Sequence, residues 1–112
     1  MKIYHNPRCS KSRQTLALIR EKGTDVEIIE YLDTIPTKSE LKELLHKLNL
    51  PAEAIIRKGE ADYKENFKGK SLSEEDWINA MIKYPKLIER PIVVKGNKAV
   101  LGRPPENVLE LL

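Results

Sequence analysis

The 112-residue sequence contains one cysteine, Cys9, one tryptophan, one phenylalanine and two histidines. Without a second thiol no intramolecular disulfide can form, which fits a reducing compartment. His5 and His46 are distant from each other and show no ligand spacing with Cys9, so a zinc site is not expected. Long apolar runs are also missing. Segments such as Pro91 to Val94 fall far short of the roughly 20 residues needed to cross a bilayer, and the N-terminus lacks the apolar stretch of a signal peptide. The expectation is a cytoplasmic protein with no membrane partner. Charge of one sign is scarce as well. Twenty Lys and Arg residues face 17 Asp and Glu, for a formal net charge of +3, and the two signs interleave along segments such as Lys38 to Lys47, the pattern of a solvated helix face. No basic cluster, aromatic stacking pattern or nucleic-acid motif accompanies them, so no nucleic-acid partner is expected. A small anionic substrate suits the mild positive excess better. No repeat, low-complexity tract or linker divides the chain, whose length and 40% hydrophobic content fit a single domain over residues 1–112.

What is present centres on Cys9. It lies in His5-Asn6-Pro7-Arg8-Cys9-Ser10-Lys11-Ser12-Arg13, between the strand-like Ile3-Tyr4 and an amphipathic run through Arg20. A cysteine at the mouth of a helix feels unpaired backbone N–H groups and the positive end of the dipole, and Arg8, Lys11 and Arg13 add charge that favours the thiolate, the nucleophilic form. An unpaired cysteine is often only a small buried hydrophobe. The polar residues on both sides of Cys9 argue for reaction instead.

Lys2 to His5 reads as a strand, an Asn-Pro turn follows, and a helix runs from about Ser10 to Lys22, stopping at Gly23. Val26 to Glu30 is short and β-branched. Strand, helix and strand in this order form a βαβ unit with parallel strands, and the loop after the first strand is an anion-facing corner holding Cys9. From Asp33 to about Pro85 the pattern is helical. Thr37 and Glu40 form a capping box before Leu41, Leu44, Leu45 and Leu48, with Asn49-Leu50-Pro51 closing the helix. Ser73 and Asp76 form a second, weaker box, with Leu72 and Trp77 as a staple and Trp77, Ile78, Met81 and Ile82 on one apolar face. These positions are read as core. Pro91 to Val94 and Ala99 to Leu101, around Gly96-Asn97, carry the signature of a two-residue β-hairpin. Pro104-Pro105-Glu106 opens a last helix over Asn107 to Leu112.

Three arginines stand apart from the helix faces: Arg57, Arg90 and Arg103, each beside apolar residues or at an element's end. A guanidinium fork can grip a tetrahedral oxyanion at two oxygens, so three of them around a thiolate would form an oxyanion pocket. Taken singly, each reads first as a surface or carboxylate-paired residue.

His5-Asn6-Pro7-x-Cys9, Arg90-Pro91-Ile92-Val93-Val94 and Gly102-Arg103-Pro104, in this order and spacing, resemble the glutaredoxin-linked arsenate reductases of the ArsC family, from about Lys2 to Leu112. The resemblance implies an α/β fold of the thioredoxin/glutaredoxin type, a mixed four-stranded sheet with a helical insertion at about residues 33–85. It implies Cys9 as nucleophile, His5 and Ser12 near its thiolate, Arg57, Arg90 and Arg103 as the arginines that bind the oxyanion, and a cis Arg90-Pro91 bond. Arsenate is the implied substrate and glutathione with glutaredoxin the implied external reductant. No bound metal or organic cofactor is implied. The familiar reductases carry Gly-Thr after the cysteine where this chain has Ser10-Lys11, and Arg8 precedes it.

Two readings of His5 stand side by side. Its charge or its hydrogen bonds help keep Cys9 ionised, or it is a strand-end residue bonded to nearby backbone. Two rival functions also stand. A transcription regulator of the Spx type would share the fold and bind RNA polymerase, but such proteins commonly carry Cys-x-x-Cys where this chain has Cys9-Ser10-Lys11-Ser12, and they lack the arginine that Arg103 supplies. A general glutathione-linked thiol oxidoreductase or redox sensor would use the same cysteine without arsenate.

Overall fold

The computed structural model describes all residues, 1–112. The chain divides into two compact units, Met1–Thr34 with Arg90–Leu112, and Ile35–Glu89.

The first unit is built on strand β1 (Lys2–His5), helix α1 (Ser10–Glu21) and strand β2 (Glu27–Glu30), with strands β3 (Ile92–Lys95) and β4 (Lys98–Leu101) returning from the far end of the chain. The sheet order is β2-β1-β3-β4. The pair β1·β2 is parallel, with His5 opposite Glu30, while β1·β3 and β3·β4 are antiparallel. This is the mixed four-stranded sheet that the resemblance implies. Gly96-Asn97 links Lys95 to its register partner Lys98, and the positive φ of Gly96 (61°) beside an ordinary Asn97 is the pattern of a type II′ turn. Apolar residues on the inner faces meet in one cluster of Ile3, Leu16, Ile19, Val93, Val108 and Leu111, all buried.

The C-terminal segment forms the expected helix, as a 3₁₀ helix that begins two residues earlier. Pro105–Leu111 is a 3₁₀ helix whose buried residues are Pro105, Val108 and Leu111. Their spacing of three matches the three residues per turn of a 3₁₀ helix, so one edge of it faces the core; an α-helix would rotate these residues out of line.

The second unit is helical. Helix α2 (Lys38–Leu48) has the expected reciprocal capping box between Thr37 and Glu40 and ends on Asn49 in the left-handed region, with Leu50 N–H donating to Leu45 O at 3.2 Å. Helix α3 (Ala61–Asn66) and 3₁₀ turns at Ala52–Ile55 and Pro85–Leu87 fill out the stretch with a helical pattern. Helix α4 (Glu74–Lys83) is capped by Ser73, whose hydroxyl accepts from Asp76 N–H; the return bond of a full box is not made. Leu41, Leu44, Ile55, Trp77, Ile78, Met81 and Leu87 are buried as read from the sequence or supplied by the added turns. Tyr63 and Phe67 stack and tilt against Trp77 at 6.3 and 5.9 Å.

Candidate functional site

The site grows from the end of β1. Asn6-Pro7-Arg8-Cys9 is a β-turn closed by Cys9 N–H donating to Asn6 O at 3.0 Å, and the Asn6 side chain accepts from Arg8 N–H at 3.0 Å. Proline presets the turn's second position and asparagine locks its first, so the chain reverses sharply and α1 begins at once. Cys9 therefore becomes the N-cap of α1, in extended conformation (φ −92°, ψ 122°), and its carbonyl accepts the first helical bond from Arg13 N–H.

Sulfur is larger than a serine oxygen, and Cys9 closes no side-chain cap hydrogen bond of the serine kind. Its thiol is held below the ordinary range all the same, because the N2 and N3 N–H groups of α1, Lys11 and Ser12, favour the anionic sulfur. Partial burial works against the thiolate, and it is outweighed by the Ser12 N–H, by the hydrogen bond and charge of Arg90, and by the Lys11 N–H. No acidic residue occupies the first turn of α1 to oppose them. The expected side-chain contribution of Arg8, Lys11 and Arg13 is corrected here: Lys11 acts through its backbone, and the Arg13 guanidinium is turned back to donate to Pro7 O at 2.9 Å.

The hairpin register explains why two arginines 13 residues apart meet at this sulfur. Ile92 lies opposite Leu101, so the residues just outside that pair, Arg90-Pro91 and Gly102-Arg103, leave the sheet at the same end. The pairing of Ile92 with Tyr4 sets this end beside the one from which β1 runs into the Cys9 turn. Arg103 Nη1 stands 3.8 Å from Cys9 Sγ and 3.3 Å from Arg90 O. The Arg90-Pro91 bond is cis, as expected, and Arg103-Pro104 is cis as well.

Thr15, which carries no signal in the sequence, and Gly102 of the Gly102-Arg103-Pro104 motif fix this end of the hairpin. Gly102 N–H donates to Pro91 O at 2.9 Å, and its own carbonyl lies 3.2 Å from the fully buried Thr15 hydroxyl of α1, whose proton it shares with Lys11 O at 2.9 Å. A Cβ on Gly102 would lie 2.6 Å from Thr15 Oγ1 and 2.7 Å from Pro91 Cγ. Glycine is thus required by space, and it brings the hairpin against the helix that carries Cys9.

His5 and Ser12 are both buried, and they bond to each other: His5 Nδ1 lies 2.6 Å from Ser12 Oγ. The same hydroxyl accepts from Asn6 N–H at 3.1 Å, which leaves its proton for Nδ1 of a neutral imidazole. Burial, ahead of a partial offset by Glu30 and with help from Arg20 and Arg13, lowers the His5 pKa and favours that neutral form. The ring therefore bonds a side chain rather than backbone, and the pair braces the turn that presents Cys9.

Arg57 belongs to the second unit. An isolated bridge between Ile56 and Ile88 sets it beside Glu89, to which Nη1 donates at 2.7 Å, while Nε donates to Glu60 at 3.3 Å. Burial disfavours its charge, and Glu89 and Glu60 more than offset that. The structure thus gives Arg57 two carboxylate partners. No three His, Cys, Asp or Glu side chains gather to hold a metal ion, and no helix is long and apolar enough to cross a membrane.

Comparison with known proteins places this geometry among relatives. The model of the ArsC family matches residues 4–111. The Escherichia coli K12 protein YfgD is 52% identical over 114 residues, covering 100% of this chain and 96% of its own. The arsenate reductase of Neisseria meningitidis is 44% identical over 114 residues, covering 100% and 97%. Among solved structures, an arsenate reductase from Vibrio cholerae superposes with a TM-score of 0.95 at 51% identity, covering 100% of this chain and 98% of that one.

Proposed function

Because the chain belongs to the ArsC family, we propose that it is an arsenate reductase in which Cys9 is the nucleophile and glutathione with glutaredoxin supplies the electrons. The observation that carries this reading is one sulfur, at the N-cap of α1, with a lowered pKa and with the forks of Arg90 and Arg103 directed to it. Relatives at 42% and 44% identity are arsenate reductases of Escherichia coli and Neisseria meningitidis.

In the proposed reaction a tetrahedral arsenate binds against the α1 N-terminus and the two guanidinium groups, which neutralise its charge and orient it. The Cys9 thiolate attacks arsenic, an S–As bond forms, and one oxygen leaves as hydroxide, taking a proton to become water. Arsenic is still pentavalent at this point. A glutathione thiolate then attacks the Cys9 sulfur; the S–As electron pair stays with arsenic, which departs as trivalent arsenite, and a Cys9–glutathione disulfide remains. A further thiol, from glutathione or glutaredoxin, reduces that disulfide and restores Cys9. The lone cysteine bears on this scheme, since a chain without a resolving thiol needs an external one.

Ser12 and His5 serve as positioning residues in this scheme, because their mutual bond braces the turn while the Ser12 N–H acts on the sulfur. The resemblance also gives Arg57 a share in anion binding. Its Glu60 and Glu89 partners supply a stabilising role instead, and Arg57→Ala separates the two: loss of turnover with the fold intact supports anion binding, loss of melting temperature alone supports the clamp. The whole reading is tested by arsenate-dependent NADPH consumption coupled through glutathione reductase, with glutathione and glutaredoxin present. Cys9→Ser is expected to abolish it. A Cys9→Ser protein that still reduces arsenate ends the proposal.

A further inference from the structure

We propose that the cleft beside the Cys9 turn is a binding subsite for the γ-glutamyl end of glutathione. This deepens the reading above, on which it rests, by assigning the reductant a place on the protein and giving Arg8 a role.

The cleft is about 360 Å³ in volume and is lined by the His5-to-Arg8 segment together with Glu30, Leu32 and Asp33. That lies within the range of small-molecule pockets. Its placement follows from the sheet: parallel pairing sets His5 opposite Glu30, so the turn leaving β1 and the turn leaving β2 form its two walls. Arg8 is one residue before the nucleophile, about 3.8 Å away along the Cα trace. Cys9 does not itself line the cleft, so a ligand seated here reaches the sulfur only if it extends past Arg8.

The charges select the ligand. Glu30 and Asp33 are exposed carboxylates and Arg8 is an exposed guanidinium, and none of the three takes part in the protein's salt bridges. A simple anion would meet two carboxylates, and a simple cation would meet Arg8. The combination suits a group carrying ammonium and carboxylate together, with Pro7 and Leu32 as apolar surface between. An α-amino acid head has that form. Among thiols able to resolve a Cys9 adduct, a γ-glutamyl peptide carries such a head several bonds away from its sulfur, so the head can occupy the cleft while the sulfur reaches Cys9. The ammonium goes to Glu30 and Asp33, and the carboxylate to Arg8.

Disulfide exchange tests the subsite without arsenate. Cys9 thiolate attacks glutathione disulfide, forming a Cys9–glutathione disulfide and releasing one glutathione thiolate; the same exchange with bis(2-hydroxyethyl) disulfide, which is neutral, reports intrinsic sulfur reactivity. The readout is the ratio of the two rates, followed by intact mass. Glutathione disulfide is anionic overall, so plain Coulomb attraction predicts that Glu30→Gln/Asp33→Asn raises the ratio. The subsite predicts the opposite, a fall of about fivefold, with Arg8→Gln lowering it too. Because both rates come from the same protein sample, a change in the Cys9 thiolate moves both and cancels. A ratio that is unchanged or raised in the double carboxylate variant overturns the subsite while leaving arsenate reduction standing. A Cys9 inert to both disulfides overturns the nucleophile assignment and the subsite with it.

Discussion

Gly102→Ala puts the construction of the site under the sharpest mechanical test. The φ of Gly102 is not in the left-handed region, so alanine meets no backbone penalty there; the obstacle is space alone. The added methyl would lie 2.6 and 2.9 Å from Thr15 Oγ1 and Cγ2 and 2.7 Å from Pro91 Cγ, and both neighbours are buried. Forcing a methyl into a packed site costs about 1–3 kcal/mol. Moving the hairpin away also removes the Gly102 share of the Thr15 proton, which otherwise goes to Lys11 O, and this adds up to about 1 kcal/mol. The sum, about 1–4 kcal/mol, corresponds to a melting temperature lower by roughly 4–16 °C for a domain of this size. Since Arg103 is the next residue and contacts Cys9 Sγ, turnover in the arsenate assay is expected to fall further than the loss of folded protein explains. Adding Thr15→Ala removes two of the three close contacts, so the double variant should be more stable than the sum of the singles, with a coupling of about 0.5–3 kcal/mol. Thermal unfolding of the four proteins of this cycle decides the matter. A Gly102→Ala protein within about 0.5 kcal/mol of the parent, with undiminished turnover, would refute the packing argument.

Arg90→Ala and Arg103→Ala should separate by what they do to the thiol: Arg90→Ala is expected to raise the Cys9 pKa in an alkylation pH profile, while Arg103→Ala, whose Nη1 stands 3.8 Å from Sγ and also lies 3.3 Å from Arg90 O, should reduce turnover with a smaller shift. Equal and large losses of melting temperature in both would show that they hold the fold instead. Ser12→Ala leaves Asn6 N–H and His5 Nδ1 without their shared partner and should cost about 1–3 kcal/mol in denaturant unfolding; a neutral result would contradict the bracing role. The lowered His5 pKa fixes the sign of a pH effect: between its folded value and about 6.5 the unfolded chain binds the extra proton, so stability falls as pH drops through that window, and His5→Gln should flatten that slope. Arg57→Ala strips Glu60 and Glu89 of their cation and is expected to cost about 1–2 kcal/mol in thermal unfolding, with little loss indicating that the clamp is not structural.

The elements legible in the sequence are those specified by neighbours along the chain. The capping box of Thr37 and Glu40, the Gly96-Asn97 hairpin and the strand-turn-helix at Cys9 each depend on residues a few positions apart, and each formed where expected. The C-terminal helix forms where the prolines open it, and its three buried residues at a spacing of three give it the 3₁₀ form. What sequence could not show depends on distant approaches. Thr15 meets Gly102 across 87 positions and Arg57 meets Glu89 across 32. Neither pairing leaves a local signal, although Gly102 lies in the motif that carries Arg103. Arg8, Lys11 and Arg13 illustrate the opposite error: nearness in sequence suggested side-chain charge on the sulfur, and the turn and helix geometry delivered backbone N–H groups instead.

The most direct measurement is a pH titration of the thiolate ultraviolet absorbance, for which the single cysteine makes the signal unambiguous once a Cys9→Ser blank is subtracted. A midpoint clearly below that of an ordinary cysteine, moved upward by Arg90→Ala, is the result expected of a sulfur held by the α1 N-terminus and its arginine. A midpoint at or above the ordinary value, indifferent to Arg90, would mean that Cys9 is not the ionised nucleophile on which the account depends.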